Sequence, residues 1–171
     1  MNNKIKPLEP PDTHHLSAAQ GWLGFGNHVD ANDELDQITP GSRTHPDVLS
    51  VRYDVYAQAK KWDGASEIAE TLVQSMPEQS SFWICWAYAT RRKSSGGIPE
   101  AKKILIEAEP KFPGQYLIRY NLACYECQLG NYKESMVWLE TAIDLAGKKD
   151  IRMMALEDPD LEPLWNQISE F

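Results

Sequence analysis

Cysteine is scarce in this 171-residue chain, with only Cys85, Cys124 and Cys127, and an odd, sparse set of thiols excludes a disulfide-stapled fold and points to a reducing cytoplasm. Long apolar runs are missing as well. The stretch Phe82 to Tyr88 is among the longest and falls far short of the ~20 residues a membrane helix needs, and the first twelve residues hold nothing like a signal core. Basic residues are in deficit: 17 Lys and Arg face 25 Asp and Glu, a formal charge of -8, which disfavours duplex DNA and anionic membrane as partners. No segment alternates apolar and polar residues long enough to argue a strand. What is present is ordinary for a folded domain, 42% apolar and 10% aromatic, at a size that buries a core without metal or disulfide.

The chain is periodic. Ala19, Tyr53, Ala87 and Ala123 each stand three residues before Trp22, Tyr56, Thr90 and Glu126, and both series are spaced 34, 34 and 36. Ala31, Ala65, Ala101 and Ser135 follow at 34, 36 and 34, so the two extra residues fall between Thr90 and Ala101, where Ser94-Ser-Gly-Gly97 reads as a lengthened turn. Pro77 and Pro113 close the second and third units, Gly147 the fourth, and Arg43 stands at that place in the first. Each unit reads as two amphipathic helices joined by a tight turn. In the last, Leu122, Ala123 and Leu129 share one face, Gly130-Asn131 stops the helix, and Met136, Leu139, Ala142 and Ile143 resume the helical spacing. Small residues recur because two helices cross closely only where one side chain is about the size of alanine.

This pattern resembles the tetratricopeptide repeat (TPR) family over about Leu16 to Leu145. The best-matching segments are Tyr120-Asn-Leu-Ala-Cys-Tyr-Glu-Cys-Gln-Leu-Gly-Asn-Tyr-Lys-Glu-Ser135 with Trp138 to Ala142, and Leu49 through Tyr56, Trp62, Ala65 and Leu72 to Pro77. Two departures stand out: Tyr53 replaces a small residue and Glu126 an aromatic one. The resemblance implies an all-α fold, a right-handed α-solenoid of antiparallel helix pairs. The expected division is a flexible segment over 1–12, helix pairs at 13–45, 46–79, 80–113 and 114–147, and capping helices over 148–171 that cover the open end of the array.

Candidate chemistry is thin. Cys124-x-x-Cys127 lies within a helix and lacks two further ligands, so no zinc or redox site is expected. His14, His15, His28 and His45 sit in separate segments, and His28 holds the turn position filled elsewhere by Trp62 and Tyr132. Glu157-Asp158-Pro-Asp160-Leu-Glu162 lacks the spacing of a calcium loop and reads as a helix stop followed by a capped helix. With no triad, phosphate loop or paired-His motif, no catalytic residue and no cofactor is expected, and the chain is read as a non-enzyme.

Charge supplies the remaining signal. Only residues 80–113 carry more basic than acidic residues, and Arg91-Arg-Lys93 ends the first helix of that unit, either capping it or binding a ligand. The resemblance implies that the first helix of each unit lines a concave groove. The groove candidates are then Gln20, Leu23, Asp54, Gln58, Ile84, Tyr88, Arg91, Arg92, Tyr120, Cys124 and Cys127, with Trp83 and Trp86 assigned to the core. The Lys and Asn clamp by which some relatives grip a chaperone's terminal carboxylate is missing: Leu16, Gln20, Val51, Ser81 and Cys85 occupy its places. The reading is a cytoplasmic scaffold or adaptor that holds a partner's peptide or helix, acidic and with an apolar or aromatic anchor. Alternatives are a secretion-type chaperone for an unfolded segment and a repeat protein that self-assembles into a homodimer.

Overall fold

Ten α-helices are formed by the described residues. The structure, a computed structural model, describes residues 6–170. Four antiparallel pairs follow one another: α1 (Asp12–Gly24) with α2 (His28–Gln37), α3 (Pro46–Gln58) with α4 (Trp62–Ser75), α5 (Ser80–Thr90) with α6 (Ile98–Ala108), and α7 (Tyr116–Gln128) with α8 (Tyr132–Ala146). Then come α9 (Lys148–Glu157), a 3-10 turn over Pro159–Leu164, and the short α10 (Trp165–Ser169). No strand occurs among the described residues, and no helix there is long and apolar enough to cross a membrane.

Local signals set the boundaries. Asn27 accepts the Asp30 N–H ahead of α2, His45 accepts the Asp47 N–H ahead of α3 with Pro46 at its first position, and Gln115 accepts the Leu117 N–H ahead of α7. The turns within three of the pairs reverse through a left-handed residue: Gly26 (φ 74°), Lys60 (φ 55°) and Gly130 (φ 79°). The lengthened turn of the third unit depends on Gly96, because a Cβ there would lie 1.9 Å from the Thr90 carbonyl oxygen.

The small residues of the repeat are fully buried at the crossings: Ala19, Ala31, Ala65, Ala87, Ala101 and Ala123. Departures from the repeat pattern are accommodated locally. Tyr53 is received by Ala65, Ala69 and Ala89, and its hydroxyl donates to the Cys85 carbonyl oxygen at 3.0 Å. Glu126, buried where the repeat pattern calls for an aromatic residue, is neutralised by Lys102 at 2.5 Å and accepts from Asn131 at 2.9 Å. Thr90 pairs with Ser66 at 3.1 Å, and the Ser135 hydroxyl donates to the Ala123 carbonyl at 2.7 Å. Trp83 is buried, its indole N–H donating to the Pro77 carbonyl, while the half-buried Trp86 packs against the core.

The two terminal stretches add contacts to the repeats. Residues 1–5 lie outside the described part, while Leu8 packs against the cluster that holds Ala19, Leu35 and Val48. There Lys6 offers its carbonyl to His45, and buried Asp12 accepts both the N–H and the hydroxyl of Thr39, at 2.9 and 2.6 Å. The C-terminal stretch is not a simple second helix. Pro159 and Pro163 lack the N–H groups an α-helix requires, so residues 159–164 form a 3-10 turn before the chain resumes α geometry at Trp165. Ile151, Ala155, Leu161, Leu164 and Ile168 from this stretch are buried in the same cluster as Ile118, Leu122 and Leu139 of α7 and α8.

Candidate functional site

The first helices of the pairs lie side by side. Gln58 of α3 donates to the Leu23 carbonyl of α1 at 3.2 Å, and Tyr53 of α3 bonds to the Cys85 carbonyl of α5. This face falls into three zones.

In the first zone, Gln20, Asp54 and Gln58 are exposed and Leu23 is half-buried. Surrounding protein atoms desolvate the Asp54 carboxyl and raise its pKa above the ordinary carboxylate value. In the second zone, Ile84 leans into the core while Tyr88 stays 41% exposed. Tyr88 meets the Trp62 ring edge-on, centroids 5.7 Å apart, and the Arg92 guanidinium lies 3.5 Å above the Tyr88 ring and 5.5 Å from Trp62. Arg92 also donates to the Tyr88 carbonyl at 3.0 Å, so it caps the end of α5 and stacks at once.

The third zone is occupied by the protein's own C-terminal segment. Arg91 forks onto both carboxylate oxygens of Asp160, with Nη2 to Oδ1 at 2.7 Å and Nη1 to Oδ2 closer still. Asp158 accepts the Tyr120 hydroxyl at 3.0 Å and the Cys124 thiol at 3.5 Å. Gln128 donates to the Asp160 carbonyl at 2.9 Å, and the Asp160 N–H returns to Asp158 at 2.9 Å. The Arg91 guanidinium also lies 5.5 Å from the Tyr125 ring centroid. Tyr120, Cys124 and Cys127 are consequently only 5%, 2% and 2% exposed and do not line an open groove, contrary to expectation. The physical reason is charge: the one net-positive unit meets the acidic turn of the C-terminal stretch.

Burial, then the Asp158 and Asp160 charges, hold the Cys124 thiol well above its ordinary pKa, and burial raises Cys127 in the same direction. Burial likewise raises the Tyr120 hydroxyl, and pushes Tyr125 up to about 12. A protonated thiol is neither a nucleophile nor a metal ligand. The Cys124 sulfur and the Asp158 and Asp160 carboxylates do lie within 4.8 Å of one another, but the Arg91 guanidinium already takes both Asp160 oxygens, and Tyr120 and Cys124 donate to Asp158, which disfavours a cation there. Sequence reasoning missed Trp62, Tyr125, Gln128, Asp158 and Asp160 as parts of this face. The signal available for the last two was the opposition between a basic third unit and an acidic tail.

Neither a family model nor a curated protein sequence matches this chain. Solved structures do. A thermophilic TPR protein from Thermus thermophilus superposes with a TM-score of 0.69 at 17% identity, covering 92% of this chain and 82% of that one. MamA of strain AMB-1 gives 0.64 at 15% identity over 94% and 91% of the two chains, and MamA of strain MSR-1 gives 0.63 at 14% over 95% and 97%. The chain therefore has the fold of a TPR-type helical solenoid.

Proposed function

We propose that the protein is an interaction scaffold that holds a peptide or helix of a partner protein against its concave face and performs no chemistry of its own. The observation that carries this reading is the open Trp62–Tyr88–Arg92 stack beside Arg91. Aromatic rings and a guanidinium held in place by one another, and half in water, form a pre-ordered contact surface, so little side-chain freedom is lost on binding. Guanidinium forks select carboxylates and the rings supply desolvated area, so the partner segment is acidic with an apolar or aromatic anchor. The protonated, covered thiol of Cys124 fits a binding role better than a reactive one.

The test is affinity capture from native lysate with quantitative mass spectrometry, comparing the natural chain with Tyr88→Ala, Arg92→Ala made together. A specific partner should fall at least tenfold while the melting midpoint changes little. An unchanged set of captured proteins contradicts the reading.

A further inference from the structure

The C-terminal turn is held as a ligand is held. Sealing the open end of the fourth pair requires apolar contact, and Ile151, Ala155, Leu164 and Ile168 provide it. Residues 158–161 do something further: they reach back across α7 to α5, where Arg91, Tyr120, Cys124 and Gln128, from two different helix pairs, aim polar atoms at two carboxylates and one carbonyl. Leu161, fully buried, is the anchor of the same turn. We infer that this end of the groove is a docking site for an acidic turn of the form Asp-x-Asp-apolar on a partner protein, and that residues 158–161 occupy it in cis until such a partner displaces them. The inference rests on the scaffold reading and names the partner's chemistry.

The observation that selects this occupant is the occupant already seated: its two carboxylates, its N–H folded back on Asp158 and its buried leucine define what the site accepts. Residues 158–161 lie between α9 and α10, whose buried Ile151, Ala155 and Ile168 stay on the end of the array, so the turn is tethered on both sides. A segment tethered this way competes at an effective concentration of order millimolar, so an isolated peptide enters the natural chain only weakly and enters readily once the tethered turn is weakened.

The experiment uses the full chain and a fluorescent synthetic peptide of residues 156–165, Leu-Glu-Asp-Pro-Asp-Leu-Glu-Pro-Leu-Trp, read by anisotropy. The variant Asp158→Asn, Asp160→Asn should bind it at least tenfold more tightly than the natural chain, and adding Arg91→Gln should reverse that gain. A control peptide with both aspartates changed to asparagine should bind at least fivefold more weakly to the natural chain and to the Asp158→Asn, Asp160→Asn variant. Equal affinity of the natural and variant chains, or of the two peptides, overturns the inference. If the variant loses helicity, the natural chain titrated to millimolar peptide carries the test, and indifference to the aspartates there overturns it too. Light scattering runs alongside: a concentration-dependent dimer that excludes the peptide gives the site to a second copy and overturns the assignment to a partner. Because Tyr88 and Arg92 are left intact, a failed peptide titration with partner capture still dependent on those two residues dismisses this inference and leaves the scaffold reading standing.

Discussion

Arg91, at the end of α5, and Asp160, 69 positions later in the C-terminal turn, form a two-point ion pair that closes one end of the face formed by the first helices of the pairs. Both side chains retain some access to water, so the coupling lies between that of an exposed pair and that of a buried one, about 1–3 kcal/mol. A double-mutant cycle of Arg91→Gln and Asp160→Asn, read from denaturant midpoints, should return a value in that range. Coupling near zero would mean that the two groups hold nothing together.

The close crossings make a second prediction. Ala87→Leu or Ala123→Leu overpacks a site with no exposed surface and should cost about 1–3 kcal/mol. Lys133→Leu, on the exposed start of α8, should stay within about 0.5 kcal/mol. Similar midpoints for all three would place the repeat in the wrong phase.

How far these features were legible depends on how local their causes are. The alanines at 19, 87 and 123 and the glycine turns at 26 and 130 recur at a fixed period because each crossing and each reversal is a local requirement, so the four pairs could be read from residue spacing. The filling of the groove's far end was not readable. It depends on one arginine and one aspartate 69 residues apart, a pairing that leaves no periodic trace. Tyr120, Cys124 and Cys127 stand at groove positions by repeat count, and only the backward course of residues 158–161 covers them. Pro159 and Pro163 end the helical pattern without indicating where the chain goes next.

Lys60 sits in the left-handed region where the corresponding turns use Gly26 and Gly130. A side chain there costs about 1–2 kcal/mol, partly offset by the extra freedom glycine has in the unfolded chain. Lys60→Gly should therefore stabilise the protein by roughly 0.5–1 kcal/mol, seen as a higher urea midpoint with unchanged slope. A lower midpoint would show that the lysine makes a compensating contact.

Glu126 is a buried carboxylate whose compensation comes from Lys102. Lys102→Met leaves that charge unpaired and should cost about 1–3 kcal/mol, less than a fully enclosed pair because the lysine reaches water. Adding Glu126→Leu should recover most of the loss, since the apolar residue suits a site that other units fill with Trp22 and Tyr56. Calorimetry of the single and double variants checks this, and a double variant no more stable than Lys102→Met contradicts it.

Asp12 links stability to pH. Hydrogen bonds from the Ser42 and Thr39 hydroxyls, then from the Thr39 N–H, hold its carboxyl below the ordinary value of 3.8. The folded chain thus binds this proton less readily than the unfolded one. Its contribution is complete above that ordinary value, which holds in the unfolded chain, and disappears as the pH falls through the lower folded value. Asp12→Asn should lower stability at neutral pH and flatten the part of the acid-side decline due to this residue. An unchanged difference between the two proteins from pH 7 to pH 3 would show that the carboxylate is not the group involved.

The central claim is that the concave face binds and that its far end is held in cis. It is tested most directly by residue-resolved hydrogen exchange on the natural chain, with and without excess 156–165 peptide. The account predicts faster exchange at the amides of Asp158, Asp160 and Leu161 as the tethered turn is displaced, with protection retained on α5 and α7 beneath it. Unchanged exchange at those amides, with new protection appearing on α2, α4 or α6, would contradict the account and move binding to the outer helices.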